Sequence, residues 1–122
     1  MQFRPDADEL LADIAALLDD KVIDAVSGPL QHQVRVAANL ARIVQREVRL
    51  GGDGAAAERA RLAAFVHDDG DLVAMRTRLC DRLLGPGAID DGEQRAIYGA
   101  LVATVRDDVA ISKPGYDAWS GV

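Results

Sequence analysis

Apolar residues recur along this chain at steps of three and four, and nowhere is there a useful run of the period-two alternation that marks a half-buried strand. In the first segment Leu10, Leu11, Ile14, Leu17, Leu18 and Val22 follow the helical period, leaving Asp13, Asp20 and Asp24 together on a separate acidic side. Pro5 and the acids Asp6, Asp8 and Glu9 place the start of this helix, because carboxylates there face the positive end of its dipole. Ser27-Gly28-Pro29 stops it: Gly can take the left-handed cap conformation, and Pro fits the first turn of the next helix.

A second helix is predicted from Gln31 to Arg49. At about 100° per residue, His32, Arg35, Asn39, Arg42 and Arg46 fall on one quarter of its surface, while Leu30, Val34, Ala37, Ala41, Val44 and Val48 line the opposite side. Gly51, Gly52, Asp53 and Gly54 are the most flexible stretch of the sequence. They predict an end to that helix and a cap for a third, from about Ala55 to Val66. His67-Asp68-Asp69-Gly70-Asp71 reads as a turn, with Gly70 free to take positive φ and Asp71 placed to cap a fourth helix carrying Leu72, Met75, Leu79 and Leu83. Gly85-Pro86-Gly87 ends it. Asp90 or Asp91 caps a fifth helix, in which Ile97, Leu101, Val105 and Val109 continue the apolar stripe until Pro114-Gly115. The pattern predicts an all-α fold, a compact bundle of about five helices forming a single domain over 1–122, antiparallel between neighbours.

Composition agrees with one globular domain, since 122 residues at 49% hydrophobic and 28% charged can bury roughly two thirds of the unfolded surface without disulfides or a structural metal. Cys80 has no second cysteine to pair with. With no signal peptide and no apolar run near 20 residues, the chain reads as a soluble cytoplasmic protein that neither spans nor enters a membrane. A net charge of −6 argues against nucleic acid as a main partner, because phosphate neutralisation needs a surplus of Lys and Arg. The basic character of the second helix is local.

Candidate chemistry gathers on that helix. Arg35, Asn39, Arg42 and Arg46 form a polar ridge whose guanidinium forks match a phosphate or carboxylate, or a subunit contact where Arg is enriched. An ordinary solvated face is the competing reading, with the acidic side of the first helix as its internal partner. Cys80 lies among Leu79, Leu83 and Leu84 with no His nearby and reads as a small buried apolar residue. Tyr116 and Trp119 follow the last helix and are expected to fold back over an open edge of the core. No Gly-rich phosphate loop, Ser-His-Asp arrangement or Cys cluster is present, so no catalytic residue and no cofactor is assigned.

The segments Arg4-Pro5 with Glu9-Leu10-Leu11, Arg35-Val36-Ala37-Ala38-Asn39, Arg46-Glu47, Arg59 to Ala64, Asp69-Gly70-Asp71-Leu72 and Ala110-Ile111 through Pro114 to Tyr116 resemble a bacterial domain family of unknown function. Members of that family stand alone or are joined to the C-terminus of aminoglycoside-phosphotransferase-like kinases, often near acyl-CoA dehydrogenases in the genome. The resemblance covers essentially the whole chain. It implies an all-helical, non-catalytic interaction or regulatory module, accessory to a phosphotransferase-like protein or to acyl-CoA metabolism. No motif in it has an assigned role to carry over. Self-association is the further expectation, since twofold homo-oligomers are the commonest assemblies, and binding of a small anion or acyl-CoA is an alternative.

A second likeness competes. His32, the pair His67-Asp68 and a later acid at Asp107 or Asp108 resemble the His-Asp metal phosphohydrolases, in which imidazole and carboxylate hold a metal that lowers the pKa of bound water. Against it, Asp69-Gly70-Asp71 replaces the usual continuation after the pair. The ridge arginines would also set positive charge beside the proposed cation.

Overall fold

The computed structural model describes residues 4–116, and all regular structure among them is helical. Helix α1, Ala7–Leu17, opens on a capping box: the Glu9 amide donates to Asp6 Oδ1 and the Asp6 amide donates to Glu9 Oε2, each at 2.9 Å. It runs on through a π-helical stretch, Leu18–Val22, and a last α-turn, Ile23–Ala25. Gly28, at φ +65°, then reverses the chain. Helix α2 is Pro29–Leu62, α3 is Leu72–Leu84 and α4 is Asp91–Ser112. Among the described residues none of these is long and apolar enough to cross a membrane.

Among the described residues there are therefore four helices, not about five, because α2 passes without a break through Gly51, Gly52, Asp53 and Gly54. Glycine in a helix costs about 1 kcal/mol relative to Ala, but it retains its N–H and tolerates right-handed dihedrals. Ending the helix there would require new partners for up to four carbonyls on one side and four amides on the other. No proline enforces the break, Ala55, Ala56 and Ala57 favour helix immediately afterwards, and the backbone stays right-handed. The helix stops at Leu62, four residues before the boundary expected from the sequence.

Contacts divide the chain into two units, one within Met1–Gly51 and Ile111–Lys113, the other within Gly52–Ala110 and Pro114–Val122. In the first, α1 and the first half of α2 run antiparallel. Gln31 Nε2 donates to the Ile23 carbonyl at one end, and Gln45 Nε2 donates to Asp8 Oδ1 at the other. Ala15, Val34 and Ala38 are buried and mark the line of contact, where small side chains let the two backbones approach. In the second unit Leu62, Met75, Leu79 and Ile97 form the core, with Phe65, Val66, Leu72 and Ile89 packed against it. Gly70 takes φ +86° and Asp71 caps α3 by accepting from the Ala74 amide at 3.2 Å, both as the sequence pattern requires. Asp90, rather than Asp91, caps α4, accepting from the Glu93 amide at 2.8 Å.

Candidate functional site

The ridge of α2 divides in two. Arg42 forms an ion pair with Asp19 of the π-helical stretch, and Arg46 Nε donates to the Ile111 carbonyl at 2.6 Å. Both guanidiniums are thus committed to acceptors within their own unit. Arg35 and Asn39 are exposed, as is His32, and neither Arg35 nor Asn39 bonds to any described residue. The internal acidic partner expected from α1 exists but is not Asp13, Asp20 or Asp24: Asp19 takes Arg42, and Asp8 takes both Gln45 and Arg49. Asp8 is held below the usual carboxylate range, first by the Gln45 hydrogen bond and then by that from Arg49.

The opposite side of α2 departs further from the sequence reading. Of the stripe Leu30, Val34, Ala37, Ala41, Val44 and Val48, only Val34 is buried, while Leu30, Val44 and Val48 keep about half of their surface open. Leu10, Ile14 and Leu17 on α1 and Leu40 on α2 do the same, so seven large aliphatic side chains of this unit are 48% to 55% exposed. Two helices meet along one line, and an apolar arc wider than that line extends past it on one side. Relative to buried Ala15, the side chains of Ile14, Leu10 and Leu17 turn away by about 100°, 140° and 160° in one sense. Relative to buried Ala38, Val48, Val44 and Leu40 turn by about 80°, 120° and 160° in the same sense. Because the helices are antiparallel, equal senses of rotation bring Ile14, Leu10, Val48 and Val44 to one face of the pair, while Leu17 and Leu40 point outward near its plane, away from each other. The signal lay in the sequence as a surplus of apolar positions around α2, where Val36, Leu40, Ile43 and Leu50 fall outside the stripe.

In the second unit the arginines secure the scaffold. Arg76 reaches both oxygens of Glu58, Nε to Oε1 and Nη2 to Oε2, each at 2.6 Å. The Glu58 hydrogen bond raises the Arg76 pKa above its ordinary value. Arg61 donates to Thr104 and Asp107, and Arg82 to the Phe65 carbonyl while pairing with Glu93. Arg78 donates to the His67 carbonyl and to Asp69, and its hydrogen bond, with that of the Asp71 amide, lowers Asp69 from 3.8 to about 2.

Two acids of the phosphohydrolase likeness are bonded elsewhere. Asp68 Oδ1 accepts from the Gly70 amide at 2.8 Å as part of the turn, and Asp107 belongs to Arg61. Among the described residues, no three or more His, Cys, Asp or Glu side chains are grouped to hold a metal ion, so His32, His67 and Asp68 make no such group. Cys80 is exposed rather than buried, since the core side of α3 is taken by Met75 and Leu79. Tyr116 is likewise exposed, and Trp119 lies outside the described residues. Asp91, Gln94, Arg95 and Tyr98, all from the first two turns of α4, line a shallow open depression.

A family profile for a domain of unknown function, DUF6285, matches residues 24–116. The chain belongs to the DUF6285 family. No curated protein and no solved structure matches it. The DUF6285 match begins at the end of the first helical rod and takes in α2, α3 and α4, so it contains the ridge, the Arg76–Glu58 pair and the core. Leu10, Ile14 and Leu17, the α1 half of the apolar face, precede the matched region.

Proposed function

We propose that this DUF6285 chain is a non-catalytic interaction module that works through the apolar face of the α1–α2 pair, beside a bacterial phosphotransferase-like kinase or in acyl-CoA metabolism. The observation that carries the reading is the contrast across α2. Its polar side spends Arg42 and Arg46 on internal acceptors, whereas its apolar side leaves Leu30, Val44 and Val48 half open. A catalytic group would need a partner to shift its pKa or orient it; a binding face needs only apolar area and a rim. The kinase association is supported by the family resemblance alone. Arg35 and Asn39, open on the other side, are the remaining polar contact candidates.

The test is co-elution of the full chain with a phosphotransferase-like kinase on size exclusion, using the double substitution Val44→Glu with Val48→Glu and, separately, Arg35→Ala with Asn39→Ala. The first pair should abolish co-elution with helical circular dichroism retained. Co-elution that survives the first pair and fails with the second would move the working surface to the ridge.

A further inference from the structure

Three glycines stand inside α2 where nothing in the closed helix calls for glycine. None of Gly51, Gly52 and Gly54 has a positive φ, and a Cβ at Gly52 or Gly54 would meet no atom within 4 Å. Each glycine nonetheless weakens the helix roughly fivefold against Ala, so the three together weaken it about a hundredfold. Leu50 before them and Ala55, Ala56 and Ala57 after them are strong helix formers, so the weakness is confined to the run. We infer that residues 51–54 are a hinge, at which α2 opens reversibly while the helix on either side stays intact, letting the two units change their mutual orientation.

The packing of α2 allows this. Between Ala38 and Glu58 no residue of the helix is buried. Gln45 and Arg49 hold Asp8 before the run, and Glu58 holds Arg76 after it. The boundary between the two units falls between Gly51 and Gly52. Local opening costs least where buried apolar contacts are few and the backbone is open to water. Gly52 and Asp53 are exposed, so amides and carbonyls freed by opening find water as a partner.

The same four residues supply both ends of a divided helix. A glycine can take the left-handed conformation that closes the first half, and Asp53 can cap the second by accepting from the amide of Ala55 or Ala56. In the closed helix Asp53 has no such task, since it forms no ion pair with any described residue. The chain returns to the first unit at Ile111–Lys113, where Arg46 Nε donates to the Ile111 carbonyl, so the swing is bounded rather than free. The hinge stands whether or not the α1–α2 face binds a partner.

The test is residue-resolved amide hydrogen exchange of the full chain by NMR, joined to the distribution of distances between spin labels at the exposed native Cys80 and at Gln33→Cys, also an exposed position. Both are repeated in Gly52→Ala with Gly54→Ala and in Asp53→Ala. Amides 52–58, whose helical bonds span the run, should exchange at least about tenfold faster than amides 36–46. The double substitution should slow them about tenfold and Asp53→Ala at least about threefold, with amides 36–46 unchanged and the distance distribution narrowed in both. Equal protection through 36–58 overturns the hinge, as does slowing that spreads equally over the whole chain. Fast exchange at 52–58 with a distribution that neither variant narrows also overturns it, because α2 then frays there without moving the units.

Discussion

Arg76 and Glu58 form a two-pronged pair at 2.6 Å in which Glu58 is nearly enclosed, at 8% exposure, while the Arg76 side chain stays half in solvent. The asymmetry fixes which partner matters more. Arg76→Ala strands a buried carboxylate and is expected to destabilise by about 2 kcal/mol, the solvent contact of Arg76 keeping the loss below that of a fully buried pair. Replacing both residues by Leu should cost less than removing Arg76 alone. Urea unfolding of the three variants checks this, and a double replacement costing more than Arg76→Ala would refute the buried-carboxylate explanation.

Acid should weaken the fold over a defined window. Asp69 titrates near 2 in the folded chain against 3.8 for an ordinary aspartate, and Asp8 is lowered in the same direction. A depressed folded value means that the stabilisation is fully present above about pH 4 and is lost as pH falls toward 2. Thermal midpoints should therefore drop between pH 4 and 2, and Asp69→Asn should flatten that drop while leaving its slope above pH 5 unchanged. An equally steep profile in the variant would remove Arg78 and Asp69 from the account.

The glycines inside α2 can be filled. A Cβ at Gly52 or Gly54 meets nothing within 4 Å, and both positions are helical, so Gly52→Ala and Gly54→Ala should each stabilise by about 0.5 to 1 kcal/mol. At Gly51 the new Cβ would stand 2.6 Å from Glu47 Oε1, the end of a flexible side chain that must first swing away, and the gain should be smaller. Differential scanning calorimetry orders the three. Destabilisation by Gly52→Ala would mean that the helix breaks there after all.

The two halves of the ridge should respond differently to truncation. Arg46→Ala removes a charged donor from the Ile111 carbonyl and is expected to cost about 1 to 2 kcal/mol. Arg35→Ala and Asn39→Ala remove exposed groups without partners among the described residues and should stay within about 0.5 kcal/mol. Equal losses at Arg35 and Arg46 in chemical denaturation would contradict the division.

Much of the backbone was legible because its signals are local. Gly28 and Gly70 take the left-handed conformation their positions demanded, and Asp71 and Asp90 cap the helices they precede. The error at Gly51 to Gly54 has one cause: glycine permits a turn without requiring one, and the continuous helix keeps backbone bonds that a break would lose. The polar ridge was visible as a face, but its division was not. Arg42 meets Asp19 and Arg46 meets Ile111 across 23 and 65 positions of sequence, and periodicity carries no information at that range.

By itself the sequence determined the helical class, the turns at Gly28 and Gly70 and the caps at Asp71 and Asp90, since each depends on residues within about five positions of one another and on the conformations those residues allow. Tertiary structure alone decided which apolar side chains were used. Leu10, Ile14, Val44 and Val48 have the same helical spacing as buried Val34, and they remain half in water because an antiparallel pair closes only along the line of Ala15 and Ala38. Amphipathic period fixes the direction in which a helix prefers to face, whereas burial requires a second surface to face it.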